Sequence, residues 1–303
     1  MSGILEILKV ILLGIVEGVT EWLPISSTGH LYLLDGIINL NVSKEFKDLF
    51  MYVIQLGAIM AVVLIFWPKI WPFHKKRKRA KDSHWKRISD NVVVGRLQHF
   101  ADDYVYMDKI ILWLKILVSC LPALLILPFN DAIDNKLMAP NVAPFVIASA
   151  LIFYGILFIM VENYNKKNRR VKIHRLEDIT WTTALLIGVF QMLAAIPGTS
   201  RSGSTIIGGI ILGMSRKVAA EYTFFLAIPV MFGVSLIKVI KFGLAFSAIE
   251  SVYLILGMFV SFIVSVFAIK FLMGYVKKHD FKVFGWYRIV LGIVVLAFFF
   301  INR

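Results

Sequence analysis

Six stretches of roughly 20 apolar residues recur along the chain, at about 48–67, 110–128, 142–161, 218–238, 250–273 and 285–301, and that is the length an α-helix needs to cross a bilayer core. Lipid offers no partner to a backbone N–H or C=O, so a chain that spans it repeatedly must satisfy those groups within its own helices. The composition agrees. Of 303 residues, 59% are hydrophobic and 17% charged, against about 25% charged in an ordinary soluble domain. A soluble globular protein is excluded, and the expectation is an all-α integral membrane protein, a single membrane domain over 1–303.

Two further apolar regions do not read as simple crossings. Residues 4–40 are interrupted at Pro24-Ile-Ser-Ser-Thr-Gly29, and residues 179–214 at Pro197-Gly-Thr-Ser-Arg-Ser-Gly203. Each predicts a re-entrant pair of short helices, which membranes tolerate only where the broken backbone is buried or lines a cavity. An offset of 174 aligns Gly14 with Gly188, Glu17 with Gln191, Ser26 with Ser200, Thr28 with Ser202 and Gly29 with Gly203. The chain therefore reads as an inverted repeat, 1–161 and 179–303, whose two polar tips meet near the midplane.

The formal charge of +14 is concentrated rather than spread. Residues 69–96 hold 10 Lys or Arg and two acids, and residues 162–178 hold six against three. Both flank apolar segments, so they mark the cytoplasmic side and not a nucleic-acid partner. Loops 129–141 and 239–249 then lie outside. The insertion around 69–108, with Lys75-Lys-Arg-Lys-Arg79 at its centre, reads as a solvated cytoplasmic loop. Cys120 stands alone in an apolar run, so no disulfide framework is available. Met1–Val16 imitates a signal peptide but contains Glu6 and lacks a basic start, which predicts that it is retained.

Chemistry concentrates at the two interruptions. Glu17 and Glu21, four positions apart, share one helix face. Two carboxylates in an apolar setting call for a cation between them, and an oxygen-seeking divalent ion, Mg²⁺ or Ca²⁺, held by Glu17 and Glu21 would supply it. Just beyond Pro24 come Ser26, Ser27 and Thr28, then His30, the one histidine of six inside an apolar segment. Ser27 is the first choice of nucleophile, with Glu21 or His30 as its base and His30 as acid toward the leaving oxygen; attack by water or by His30 itself stays open. The second tip contributes Arg201, whose planar fork suits phosphate oxygens, among Ser200, Ser202 and Thr205. Gln191, at the Glu17 position of the second repeat, is expected to line the cavity as a hydrogen-bond partner.

Glu17-Gly-Val-Thr-Glu21-Trp-Leu-Pro-Ile-Ser-Ser-Thr-Gly-His30 and Pro197-Gly-Thr-Ser-Arg201-Ser-Gly-Ser-Thr205, followed by Gly213-Met-Ser-Arg216, resemble the signatures of the bacterial undecaprenyl-diphosphate phosphatases, the bacitracin-resistance family. The resemblance implies hydrolysis of a polyprenyl diphosphate to its monophosphate and inorganic phosphate, recycling the lipid carrier of cell-wall polymers. It further implies a multi-pass protein of the bacterial cytoplasmic membrane with its active site open to the outer face. Bacitracin resistance would follow from competition for the same lipid, and a homo-oligomer is compatible with this reading. Type-2 phosphatidate phosphatases also use Ser-Gly-His and Ser-Arg signatures, but the histidine they require after the arginine is missing here. The rival from another class is a transporter or flippase of an anionic lipid or phosphate-bearing substrate, because broken helices meeting at the midplane are a transporter architecture. The asymmetry of the tips, with acids, hydroxyls and imidazole on one and arginine on the other, favours an enzyme.

Overall fold

The computed structural model describes residues 2–38, 40–73, 104–168, 171–243 and 246–301. Among them, regular structure is helical apart from two isolated bridges, Phe73 with Val105 and Ile173 with Met214. In chain order the helices are α1 (Ser2–Thr20), α2 (Ser27–Ile37), α3 (Lys44–Ile70), α4 (Met107–Ile126), α5 (Asn130–Leu137), α6 (Ala143–Asn168), α7 (Trp181–Met192), α8 (Arg201–Ile211), α9 (Arg216–Phe242), α10 (Ala248–Tyr275) and α11 (Lys282–Ile301). Six of these, α3, α4, α6, α9, α10 and α11, are long and apolar enough to cross a membrane, and each overlaps one expected span. Their outward faces carry exposed Leu125, Phe153, Phe259 and Phe267, the surface of a bundle whose solvent is lipid. The expected cytoplasmic loop at 74–99 lies outside the described residues.

Without a hydrophobic drive between helices in lipid, close packing depends on small residues that let backbones approach. The crossing of α6 and α11 shows this. A Cβ built on Gly155 would fall 2.6 Å from the Gly285 carbonyl oxygen, and one on Gly285 would fall 2.7 Å from that of Gly155. Hydroxyl-to-carbonyl bonds tie the short helices down in matching fashion. Ser265 on α10 donates to the Gly18 carbonyl of α1 at 3.3 Å, and Ser119 on α4 donates to the Ala184 carbonyl of α7 at 2.6 Å.

The short pairs α1–α2 and α7–α8 begin at opposite ends of the bundle. Glu6, near the start of α1, accepts from the Asn41 N–H just ahead of α3 at 2.9 Å. The segment leading into α7 instead bridges to the start of α9, where the Ser215 N–H donates to the Ile173 carbonyl at 2.9 Å. That second end is the basic one. Buried Glu162 there accepts from Arg216 Nη2 at 2.6 Å and Nε at 2.8 Å, and from the Phe281 N–H at 3.1 Å, which joins α6, α9 and the approach to α11.

The breaks themselves sit slightly earlier than the sequence suggests. Helix α1 stops at Thr20 and α2 resumes at Ser27, while α8 already starts at Arg201, because Ser26 and Ser200 cap the following helices. Each side chain accepts from the backbone N–H three residues on, Gly29 at 3.4 Å and Gly203 at 3.1 Å. Each also has a left-handed φ, 73° at Ser26 and 70° at Ser200, the two such values at non-glycine positions among the described residues. Strain of this kind costs on the order of 1–3 kcal/mol and persists where its surroundings demand it. Ser27 and Arg201 thus occupy the same place in their pairs, the first helical residue after a strained serine.

Two stability predictions follow from this packing. Gly155→Val should destabilise the detergent-solubilised protein by about 1–3 kcal/mol, read as a lower midpoint of thermal unfolding, since the group facing its new methyls is backbone. Ser200→Ala should melt below Ser200→Gly: alanine loses the cap, worth about 1 kcal/mol, and keeps the strain, whereas glycine relieves the strain and caps nearly as well.

Candidate active site

The two tips meet through one carboxylate. Glu21, in the turn that ends α1, accepts from Arg201 Nη2 at 2.9 Å through Oε1 and from Ser27 Oγ at 3.2 Å through Oε2. Its own backbone carbonyl accepts from Ser202 Oγ at 3.1 Å. Arg201 also donates through Nη1 to the Thr223 carbonyl on α9 at 3.1 Å, which fixes the plane of the fork. Residues 180 positions apart therefore form a chain of contacts, hydroxyl to carboxylate to guanidinium, with the carboxylate and guanidinium both largely buried.

Glu17 lies one turn before Glu21 and is fully buried, and neither of its carboxylate oxygens has a hydrogen-bond partner. Glu21, Arg201 and Gln55 of α3 are among the groups around it. An orphaned carboxylate beside a second one is a donor set that a hard cation fits, and Mg²⁺ is commonly held by one or two carboxylates together with substrate phosphates. No cluster of three or more His, Cys, Asp or Glu that could hold a metal occurs among the described residues, so Glu17 and Glu21 are the carboxylates this site offers.

The remaining expected residues lie around this junction. Half-buried His30 is held at both ring nitrogens: its Nδ1 lies 2.7 Å from the Ser26 carbonyl oxygen and its Nε2 lies 2.7 Å from the Tyr287 hydroxyl. A carbonyl only accepts, so Nδ1 carries the proton, and in a neutral ring Nε2 receives the tyrosine's. Ser200 Oγ stands 3.1 Å from Ser202 Oγ. Thr205 is buried and committed to structure, donating to the Arg201 carbonyl at 2.9 Å while Thr223 Oγ donates to it at 2.9 Å. Thr28 is half-buried and makes no hydrogen bond through its side chain to the other site residues. Gln191 is buried with neither carboxamide atom partnered.

Sequence reasoning passed over the residues that α9 and α11 bring to the tips. Thr223 supports Arg201 and Thr205 from α9. Tyr287 faces His30, their rings stacked with centroids 5.6 Å apart. Arg288, wholly buried, reaches both tips: its Nη1 lies 3.4 Å from the Pro24 carbonyl oxygen, and its Nη2 donates to the carbonyls of Gly198 at 2.9 Å and Thr199 at 2.8 Å. The signal for Arg288 was present, an ionisable residue inside an apolar span, which is costly in lipid unless it has a task.

Residues 10–294 match the family described as "Bacitracin resistance protein BacA". Among curated relatives, an "Undecaprenyl-diphosphatase" of Lachnoclostridium phytofermentans is 52% identical over 299 residues, 99% of each chain. One of Enterococcus faecalis is 54% identical over 293 residues, 96% of each chain. A third, of Desulfitobacterium hafniense, is 52% identical over 298 residues, 98% of this chain and 97% of the relative. On a match that runs through both tips and all six long helices, the chain belongs to the BacA family of bacitracin resistance proteins.

Proposed function

We infer that the chain is a phosphatase of the membrane, hydrolysing undecaprenyl diphosphate to the monophosphate and inorganic phosphate and so recycling the lipid carrier of cell-wall synthesis. The names of its relatives support this reading. The observation that carries it is the double engagement of Glu21, with a serine hydroxyl from its own tip and an arginine from the other. Binding an anion needs the arginine; it does not need a carboxylate holding a hydroxyl beside it. That excess of chemistry speaks for an enzyme over a transporter.

The resting contacts suggest the order of events. An incoming diphosphate competes with Glu21 for Arg201 Nη2, since phosphate oxygens accept the same charge-assisted hydrogen bond. The exchange leaves the Glu21 carboxylate free to take the Ser27 proton. Ser27 Oγ then attacks the terminal phosphorus, the bridging P–O bond breaks, and the electron pair leaves on the undecaprenyl monophosphate. Water afterwards cleaves the phosphoserine and releases inorganic phosphate. His30, with Nδ1–H held by the Ser26 carbonyl, positions the first turn of α2, and its Nε2 takes up a proton by way of the Tyr287 hydroxyl that it faces. A divalent cation on Glu17 and Glu21 would add charge stabilisation at the phosphoryl oxygens.

The tips belong, in this reading, to two re-entrant pairs related as an inverted repeat, 1–161 and 179–303. Matching strained serines and matching ties to α10 and α4 support that relation. With the basic end in the cytoplasm of a bacterial inner membrane, the active site opens to the outer face. Removing the diphosphate lipid there would deprive bacitracin of its target.

Purified protein should release phosphate from undecaprenyl diphosphate in a detergent assay, and Arg201→Ala and Glu21→Ala should each lower kcat/KM by about 100-fold or more while folding normally. Normal turnover by either folded variant would remove the site assignment. Chelation with EDTA should abolish release, and Mg²⁺ or Ca²⁺ should restore it; turnover indifferent to EDTA would take the metal out of the scheme. Rapid quench in neutral denaturant followed by mass spectrometry should find phosphate on Ser27, and a label on His30 instead would reassign the nucleophile.

A further inference from the structure

Arg288 carries a charge that the reaction scheme does not use. Its side chain is fully buried in the middle of the protein, yet its partners are carbonyl oxygens and the face of Tyr154, whose ring centre lies 5.6 Å away. Among the described residues no carboxylate pairs with it, and its Nε N–H is buried without an acceptor. Arginine does not give up its proton in proteins, so the charge stays. The contrast with Arg201 is direct. Glu21 offsets the charge of Arg201 at rest, while that of Arg288 stands uncompensated behind both tips.

The tips are shaped around it. A Cβ on Gly203 would fall 2.9 Å from Arg288 Nη1, so a side chain in the first turn of α8 would collide with the guanidinium. Gly198, whose carbonyl Arg288 holds, has φ +89° and leaves no room for a Cβ against the Ile147 backbone, 2.6 Å from its carbonyl oxygen. Gly203 is thereby accounted for by the arginine, and Gly198 by the Ile147 backbone and its own φ. Holding the Thr199 carbonyl also orients the Ser200 N–H, which lies on the opposite side of the same trans peptide. Arg288 thus acts on the site through a fixed charge and through backbone it positions, while itself wholly buried.

We propose that Arg288 is the residue by which this site prefers a diphosphate headgroup over a monophosphate one. The inference rests on the phosphatase reading and adds to it the means of discriminating substrate from product. An uncompensated cation in a water-poor site is expensive when the site is empty, and an anion nearby relieves that cost. The relief grows with the charge of the anion, and a diphosphate carries more than the monophosphate left after hydrolysis. Substrate is then held more strongly than product, which favours product release.

The test compares Arg288→Lys, which keeps the charge and loses the fork, with Arg288→Gln, which loses the charge and keeps N–H donors. In the phosphate-release assay, Arg288→Gln should raise KM for undecaprenyl diphosphate about tenfold while the inhibition constant of undecaprenyl monophosphate changes severalfold less. Arg288→Lys should keep the ratio of the two constants near that of the unmodified protein and lose kcat instead. Equal ratios in all three proteins would overturn the proposal. Gly203→Ala, which displaces the guanidinium without deleting it, gives a second reading should the glutamine variant fail to fold; it should shift the same ratio, and no shift counts against Arg288. Thermal stabilisation by inorganic diphosphate relative to inorganic phosphate measures the preference without turnover. The unmodified protein should show it and Arg288→Gln should lose it, so loss of this preference can be told apart from a protein that does not hydrolyse the lipid at all.

Discussion

Two helix breaks inside an apolar bundle leave backbone carbonyls and N–H groups that lipid cannot satisfy, and the rest of the architecture answers that demand. The strained serines take up one N–H each at Gly29 and Gly203. Arg288 takes up carbonyls from both breaks at once, and Ser202 takes up the carbonyl of Glu21 across the junction. Each tip is satisfied in part by the other. The meeting of the tips is a requirement of solvation before it is a device of catalysis.

Once joined, the tips diverge in chemistry. Ser27 and Arg201 hold equivalent places after their capping serines, yet one is a hydroxyl and the other a guanidinium, and Glu21 joins them. Glu17 is orphaned in the first pair where the second carries neutral Gln191. Unlike side chains at like positions thus stand within one contact of the same carboxylate.

Much of this was legible along the chain because it is local. The six crossings show as runs of apolar residues, and the breaks show as proline and glycine clusters. The pairing of the breaks shows as an offset of 174, since a helix cap and a glycine at fixed spacing leave a mark wherever they occur. Less legible were contacts between residues far apart. Sequence placed His30 three residues from Ser27, but its contact with Tyr287 on α11 joins residues 257 positions apart. Thr205 bonds to the Arg201 carbonyl and to Thr223, and the second of these partners no local pattern announces. Gln55, Tyr287 and Arg288 escaped notice because their helices read as plain crossings.

The sequence by itself determined a helical membrane protein, its six long helices, its two breaks and the residue types gathered there, because hydropathy, helix breaking and capping depend on neighbours within a few positions. Only the tertiary structure decided which carboxylate meets the arginine, which way the imidazole faces and which buried cation stands behind both tips. Those outcomes depend on the crossing of α6 with α11 and on α1 lying along α10, close approaches set by glycine and serine at positions more than a hundred residues apart, where no local pattern records the partner.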